Sequence, residues 1–512
     1  MRYYTKHFFL SPQIKEQLAM GGFFGVVAND ECVDDLFYGV DYHSHLGTVR
    51  GGMAVTNSYG SIIRSIHDIS NEMFRSKFGP DLVQFRGAKC GIGVISDMDD
   101  QPLLIASHLG MYSIVTVGKL NNIEELTRQA IEEHHIHFAE HSNGEHNPTE
   151  IVASLINTQN TIQDGIAYAM HRIKGSCSML VMSEGKIYAA RDRYGRTPVS
   201  VAKKPGAMAV SMETSAYPNL DYEFVRDLGP GEIALIDAEN VVQLKAPEET
   251  MQICSFLWVY FGYPSSDYEG RNTETVRYAN GARIAAHDGV EVDSVCGVPD
   301  SGVAHAIGYS NKKGRPYLRA LVKYTPTWLR SFMPQVQSHR NLIAKMKLLP
   351  VQDQIEGKRL LFCDDSIVRG TQFRDVTRRL LERGAKEVHL RSASPPLAFP
   401  CLFLNFSRSR SVMDLAARRV VAELEGGEPS PEVLREYITA GTPRYERMVE
   451  KIRQKLGLTT LKYQTIDQLV EAIGLPKCKL CTFCFDGCDP TGCAKWIGCA
   501  CPSDEPAKDA GN

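Results

Sequence analysis

Residues 360–372 read LLFCDDSIVRGTQ. An apolar run ends in two adjacent acids, then a serine, an Arg-Gly pair and a threonine. With its flanks the stretch reads as a strand, RLLFC, a turn, SIVRGT, and a helix, FRDVTRRLLERG. Around it, residues 275–395 alternate helical patterns with short buried strands, as in VRYANGARIAAHDG, VDSVCGVPDSG, VAHAIGYSNKKG, RPYLRALVKY and EVHLRSASPP. That alternation predicts a doubly wound parallel sheet. In such a sheet ligands bind beyond the carboxyl ends of the strands, which is where Asp364 and Asp365 fall. Backbone amides of a turn at a helix N-terminus cradle phosphate, and the hydroxyls of Ser366 and Thr371 add donors. The acids would then hold ribose hydroxyls or Mg²⁺, which takes one or two carboxylates plus phosphate oxygens. Strand, paired acids and phosphate turn together point to a sugar phosphate. Capping acids on an ordinary turn explain less, because side-by-side carboxylates are costly unless a cation or hydroxyl satisfies them.

Working outward, residues 21–245 are rich in strand patterns, among them FFGVVA, SMLVMSEGKIYAARD and GEIALIDAENVVQL, separated by Gly, Asp or Asn turns. They predict hairpins and packed sheets. The expected division is an N-terminal extension (1–20), a first domain (21–250), a second domain (251–475) and a Cys-rich tail (476–512). The 512 residues, 43% hydrophobic, supply ample core, and a net charge of −3 argues against a nucleic-acid or membrane-surface binder. No apolar run reaches the roughly 18 residues of a membrane span. The first residues lack a signal-peptide pattern, so a cytoplasmic location is expected. Seven of the fourteen cysteines follow Cys401. On the end of a large chain they suggest a metal or iron–sulfur site before disulfides. His134, His135, His137, His141 and His146 read as a solvated loop, and SRSRS at 407–411 as a basic surface stretch.

DDSIVRGT resembles the phosphoribosyl-pyrophosphate (PRPP) motif of type I phosphoribosyltransferases. Its wording is nearest to the glutamine PRPP amidotransferase, or amidophosphoribosyltransferase, family. GVPDSGVAHAIGY (297–309) resembles that family's pyrophosphate loop. LVKYTPTWLRSFMPQVQSHRNLIAKMKL (321–348) resembles its catalytic loop, with KYTPTW a departure. SASPPLAFPC (392–401), LCTFCF (480–485), GKIYAARDRYGRTPVSV, METSAY and FVRDLGPGE match as well. The resemblance covers roughly residues 21–490.

It implies an α/β protein with an α+β first domain, a four-layer αββα Ntn-hydrolase-like fold, packed on a doubly wound type I phosphoribosyltransferase domain. The implied chemistry is nucleophilic displacement at C1 of PRPP with release of pyrophosphate. Pro299, Asp300, Ser301 and Gly302 would hold the pyrophosphate. Lys323 would stabilise the departing charge, and Arg330 with its loop would close over the site. Asp364 and Asp365 would fix the ribose hydroxyls, and Ser366, Ile367, Val368, Arg369, Gly370 and Thr371 the 5′-phosphate. Mg²⁺ would sit at Ser301, Asp364 and Asp365. A structural [4Fe–4S] cluster would be held by Cys254, Cys401, Cys481 and Cys484, although zinc would also give a four-thiolate site. Cys478, Cys488, Cys493, Cys499 and Cys501 lie outside the family pattern, as a second metal site or as bystanders. The family forms homotetramers or dimers, and purine nucleotides would be its effectors.

The match breaks in the first domain. The family's glutaminase begins with a cysteine nucleophile in CGVFG; the equivalent GGFFG here places Gly21 there. The glutamine-carboxylate arginine faces Ser96, the oxyanion-hole asparagine faces Val117 beside a retained Gly118, and the amine-binding aspartate faces Pro148. A glycine cannot form the covalent acyl intermediate. Cys32 and Cys90, the nearest thiols, read as buried core. Three functions are therefore expected to compete: a transferase joining ammonia to PRPP without hydrolysing glutamine, a transferase using another amine or a base, and a non-catalytic PRPP- or nucleotide-binding paralogue that regulates an active amidotransferase.

Overall fold

A computed structural model describes residues 21–97, 99–134, 138, 141–142, 145–324, 348–404 and 411–492. The strand Gly22–Ala28 shows how the first half is layered. Side chains alternate across a strand; here Phe23 and Val27 enter one apolar core and Phe24 and Val26 another. The strand is central in a seven-stranded antiparallel sheet, ordered Glu223–Asp227, Ser200–Lys204, Ala207–Ser211, Gly22–Ala28, Cys90–Ser96, Arg50–Thr56, Ile62–Asp68. Phe23 and Val27 share the inner core with Leu180, Met182 and Ile187 of a six-stranded sheet. Phe24 and Val26 share the outer core with Leu36, Phe37 and Val40 of the helix Val33–Asp41. Helices Pro148–Ile156 and Ile162–Arg172 cover the far face of the six-stranded sheet. The first domain is thus the expected four-layer αββα sandwich.

The second half follows the period change read from the sequence. Four parallel strands run in the order Ser294–Gly297, Arg359–Asp364, Glu387–Ser392, Thr460–Tyr463. Leu361 and Cys363 share a core with helices Thr273–Ala286 and Val303–Lys313; Leu360 and Phe362 share one with helices Thr371–Glu382 and Pro443–Leu456. The strand is apolar throughout because both faces are covered. Tyr317 pairs in parallel with Val295, whose amide and carbonyl bond the backbone at Pro316 and Leu318. The chain therefore leaves the Ser294–Gly297 strand toward one edge and returns on its other side with Arg359–Asp364. That reversal is the topological switch point at which an open α/β sheet leaves a crevice.

Two boundaries differ from the sequence reading. The strand runs one residue further and includes Asp364, and the helix starts at Thr371. Residues 480–486 are not tail. Leu480–Cys481 pairs in parallel with Ile253–Cys254, and Leu480, Phe483 and Phe485 are buried with Phe256 and Trp258. The density of cysteines hid the apolar spacing that draws this segment inside. No helix among the described residues is long and apolar enough to cross a membrane.

The halves are joined through a buried acid. Glu213, in METSAY, is 1% exposed and accepts from Tyr268 Oη at 2.7 Å, from Ser266 Oγ and from the Tyr263 amide at 3.2 Å, with His45 Nε2 at 3.4 Å. Burial alone would raise its pKa, but the His45 charge and the hydroxyl donors outweigh burial and bring it down to about 2. A depressed carboxyl contributes stability that is complete above its unfolded value near 4.5 and is lost as pH falls toward 2. The contribution is about 3 kcal/mol at neutral pH. Glu213→Gln is expected to lower Tm at pH 7, with the gap to the unsubstituted protein closing between about pH 4.5 and pH 2; a gap independent of pH would show that the carboxylate charge is not what joins the halves.

Candidate active site

The crevice at the switch point collects the sequence-predicted residues. Asp364 ends its strand and Asp365 follows it, 7% exposed. The loop after the neighbouring strand brings Ser301 Oγ to 3.3 Å from Asp364 Oδ1. Gly302 permits that approach: a Cβ there would stand 2.1 Å from the Cys363 carbonyl oxygen. The Asp365 amide donates to Asp364 Oδ1 at 3.0 Å, and Ser366 Oγ donates to Asp365 Oδ2 at 2.7 Å. Burial first, and the Asp365 charge second, hold the Asp364 carboxyl well above the usual carboxylate range. Among the described residues neither acid forms an ion pair. Across the crevice Lys323 Nζ lies 2.5 Å from Asp300 Oδ2, so the lysine already faces the loop Pro299–Gly302. Gly370, at φ +76, turns the backbone into the helix beginning at Thr371. Ile367 is buried, the Val368 carbonyl accepts from the Ala416 amide, and the Arg369 carbonyl accepts from Arg419. The turn is thus held by the second domain's own helices. Arg330 lies outside the described residues, as do most of SRSRS, His135, His137, Cys493, Cys499 and Cys501.

The four cysteines of the iron–sulfur reading come together although they span 231 positions of sequence (484 − 254 + 1). Cys254 and Cys481 are register partners. The Cys484 carbonyl accepts from the Ala398 and Phe399 amides at 3.0 and 3.1 Å, which brings the Cys401 segment alongside. Burial, and then the charges of the other cysteines, push the Cys254 and Cys484 thiols well up. Among the described residues, no three His, Cys, Asp or Glu side chains stand close enough to hold a single metal ion.

The positions that the family resemblance assigns to the glutaminase also form one place. A Cβ on Gly21 would lie 2.8 Å from the Ile95 carbonyl oxygen, 3.7 Å from Ser96 Cα and 3.8 Å from Val117 Cγ2. Pro148 opens its helix beside them, where Thr149 Oγ1 meets Thr116 Oγ1 at 2.6 Å. Gly118, at φ +155, packs against the Ser176 carbonyl too closely for any side chain. Gly21, Val117, Gly118 and Pro148 offer neither a nucleophile nor a charge, and the Ser96 hydroxyl accepts from the Asp99 amide at 3.2 Å. Cys32 and Cys90 are 1% and 2% exposed; burial first, then the Asp35 charge, pushes the Cys32 thiol up to about 12. Sequence reasoning missed a charged cleft of about 400 Å³ at the same end of the sheet. Its Arg50, register partner of Ser96, bridges Asp68 and Asp100 at 2.7 Å each. Only the pairing register, invisible in sequence, sets Arg50 there.

Comparison with known proteins agrees with this geometry. Residues 89–218 match the model of a glutamine amidotransferase domain. The amidophosphoribosyltransferase of Bacillus subtilis is 30% identical over 487 residues, 92% of this chain and 94% of that protein. That of Mycobacterium tuberculosis is 35% identical over 328 residues, 64% of this chain and 57% of that protein, so the chain spans a little over half the length of this relative. The solved structure of the Bacillus subtilis glutamine PRPP amidotransferase, complexed with ADP and GMP, superposes with a TM-score of 0.78 at 29% identity, covering 93% of this chain and 98% of that one. With its sandwich, its switch-point crevice and its near full-length relatives, the chain belongs to the amidophosphoribosyltransferase family.

Proposed function

We propose that the protein joins ammonia to PRPP in purine biosynthesis, releasing pyrophosphate and forming 5-phosphoribosylamine, and that it does not hydrolyse glutamine itself. The observation that carries this reading is an intact switch-point crevice in the same molecule as a glutaminase position occupied by Gly21. Two carboxylates and a serine hydroxyl, with no ion pair to either acid among the described residues, form an all-oxygen donor set that suits Mg²⁺. Ser301, Asp364 and Asp365 would hold that ion, which supplies charge neutralisation of the pyrophosphate. The amides of 366–371 at the helix N-terminus take the 5′-phosphate. When pyrophosphate enters the loop Pro299–Gly302, Lys323 exchanges Asp300 for the phosphate oxygens and stabilises the departing charge. The residues position and neutralise; no covalent intermediate on the protein is needed.

The four gathered thiols support a structural [4Fe–4S] cluster. Cys254, Cys401, Cys481 and Cys484 would hold it, and thiolates are the donors that such a cluster takes. Purine nucleotides as effectors, a homo-oligomeric state and a cytoplasmic location belong to the same proposal.

Phosphorus-31 NMR of PRPP with Mg²⁺ and anaerobically purified protein tests the reading. Pyrophosphate should appear with ammonium chloride and not with glutamine. Pyrophosphate with glutamine would refute the assignment of Gly21. PRPP binding without turnover would favour another amine or a regulatory paralogue. Asp365→Asn should lower turnover about a hundredfold. Asp364→Asn should also lower turnover yet raise Tm, because it removes a carboxyl whose ionisation burial and the Asp365 charge both oppose; a fall in Tm would show that the pair is not in electrostatic conflict. Gly21→Cys should not create glutamine use. It should destabilise the protein by about 1–3 kcal/mol, read from denaturant midpoints, because residue 21 sits at φ +79 against a carbonyl.

A further inference from the structure

Arg196 belongs to the loop between strands Lys186–Ala190 and Ser200–Lys204 of the first domain, yet its side chain ends in the second. It is 1% exposed. Its Nη1 donates to Cys481 Sγ at 3.2 Å. Its Nη2 donates to Asp489 Oδ1 at 3.1 Å and to Thr491 Oγ1 at 3.0 Å. The guanidinium lies over the Phe403 ring, 3.4 Å from the centroid and two residues from Cys401. Its carbonyl accepts from the Cys254 amide at 3.1 Å. One residue thus touches the segments that carry Cys254, Cys401 and Cys481. A neutral thiol is a weak acceptor, whereas a thiolate is charged, and hydrogen bonds to a charged acceptor are about twice as strong as neutral ones. A buried guanidinium shared between a carboxylate and a sulfur is therefore matched to a metal-bound thiolate.

We propose that Arg196 is a positioning residue of the iron–sulfur site: it donates to the Cys481 thiolate, ties the 481–491 segment to the first domain, and raises the reduction potential of the cluster. The inference rests on the [4Fe–4S] reading above. Cluster potentials are set by net charge, hydrogen bonds to sulfur and exposure. With four thiolates, the cluster passes from a net charge of −2 to −3 on gaining one electron. A neighbouring cation stabilises the −3 state more, so its loss must move the potential to more negative values.

The test uses the full chain reconstituted anaerobically with iron and sulfide. Arg196→Lys keeps the charge and loses the fork. Arg196→Met combined with Asp489→Asn removes the hydrogen bond to Cys481 Sγ and the cation nearest it, together with the partner acid, so that no acid is left buried alone. The readouts are iron and sulfide content, an EPR-monitored redox titration, the Fe–S(Cys) resonance-Raman stretches, and the rate of cluster bleaching in air, with circular dichroism for the fold. The double variant should have the lower potential and bleach about tenfold faster. Arg196→Lys should shift a Fe–S(Cys) stretch with a smaller change in potential, and it decides the matter if the double variant does not fold. Variants that hold the cluster with unchanged potential, stretches and bleaching rate would overturn the inference alone. An unsubstituted chain that takes up no iron and sulfide would overturn the cluster reading, and this inference with it.

Discussion

The like charges of Asp364 and Asp365 at the end of a buried strand are the constraint around which the second domain is arranged. Leu360 to Cys363 are covered on both faces, so the first residues free to carry charge are the two that emerge at the switch point. Burial already keeps Asp364 from ionising readily. The surroundings offer a hydroxyl from Ser301 and a backbone amide, and the buried Arg277 acts on Asp365 through its charge without forming an ion pair with either acid. Natural cores rarely leave such a pair uncompensated. A bound cation or a hydroxyl-bearing ligand would complete that compensation, which is the part the proposed function gives to Mg²⁺ and the sugar phosphate.

The first domain shows what fold and chemistry each require. Its sandwich needs alternation of apolar side chains on strands such as Gly22–Ala28, and that pattern is intact. Gly21, Ser96 and Pro148 stand at strand and helix ends, whereas Val117, 3% exposed, belongs to the core. Positions at strand and helix ends can change while the sheet order stays the same, so a family likeness of the fold does not by itself carry an activity with it. Gly21 illustrates the difference. Its positive φ and its contact with the Ile95 carbonyl tune the strand's start for a residue without a side chain.

What the sequence made legible was local. The strand, acids, turn and helix of 360–382 are contiguous, and their order on the chain is their order in space. The period change near residue 250 likewise marked the two layerings. The cysteine set and the substituted glutaminase positions were legible only through resemblance to a family, since nothing in the spacing of Cys254, Cys401, Cys481 and Cys484 brings them together. Arg50 and Arg196 were not legible at all. Their partners are set by strand register and by a contact across 285 positions, and a one-residue slip would have turned Arg50 to the other face.

Contacts of that long-range kind join the two halves. Glu213 takes its donors from 263–268, Arg191 reaches Glu269 at 2.6 Å while bonding three carbonyls of its own domain, and Arg196 reaches 481–491. All three are almost fully buried. A buried charge leaves its partner uncompensated when the contact breaks, at a typical cost of about 3–5 kcal/mol. Separating the halves would break all three contacts together. The first domain therefore has a structural task of its own: it places Arg196 beside the cysteines and anchors residues 263–269 and 481–491. That task gives the whole sandwich, down to the buried acid of METSAY, a physical reason to persist whatever residue stands at position 21.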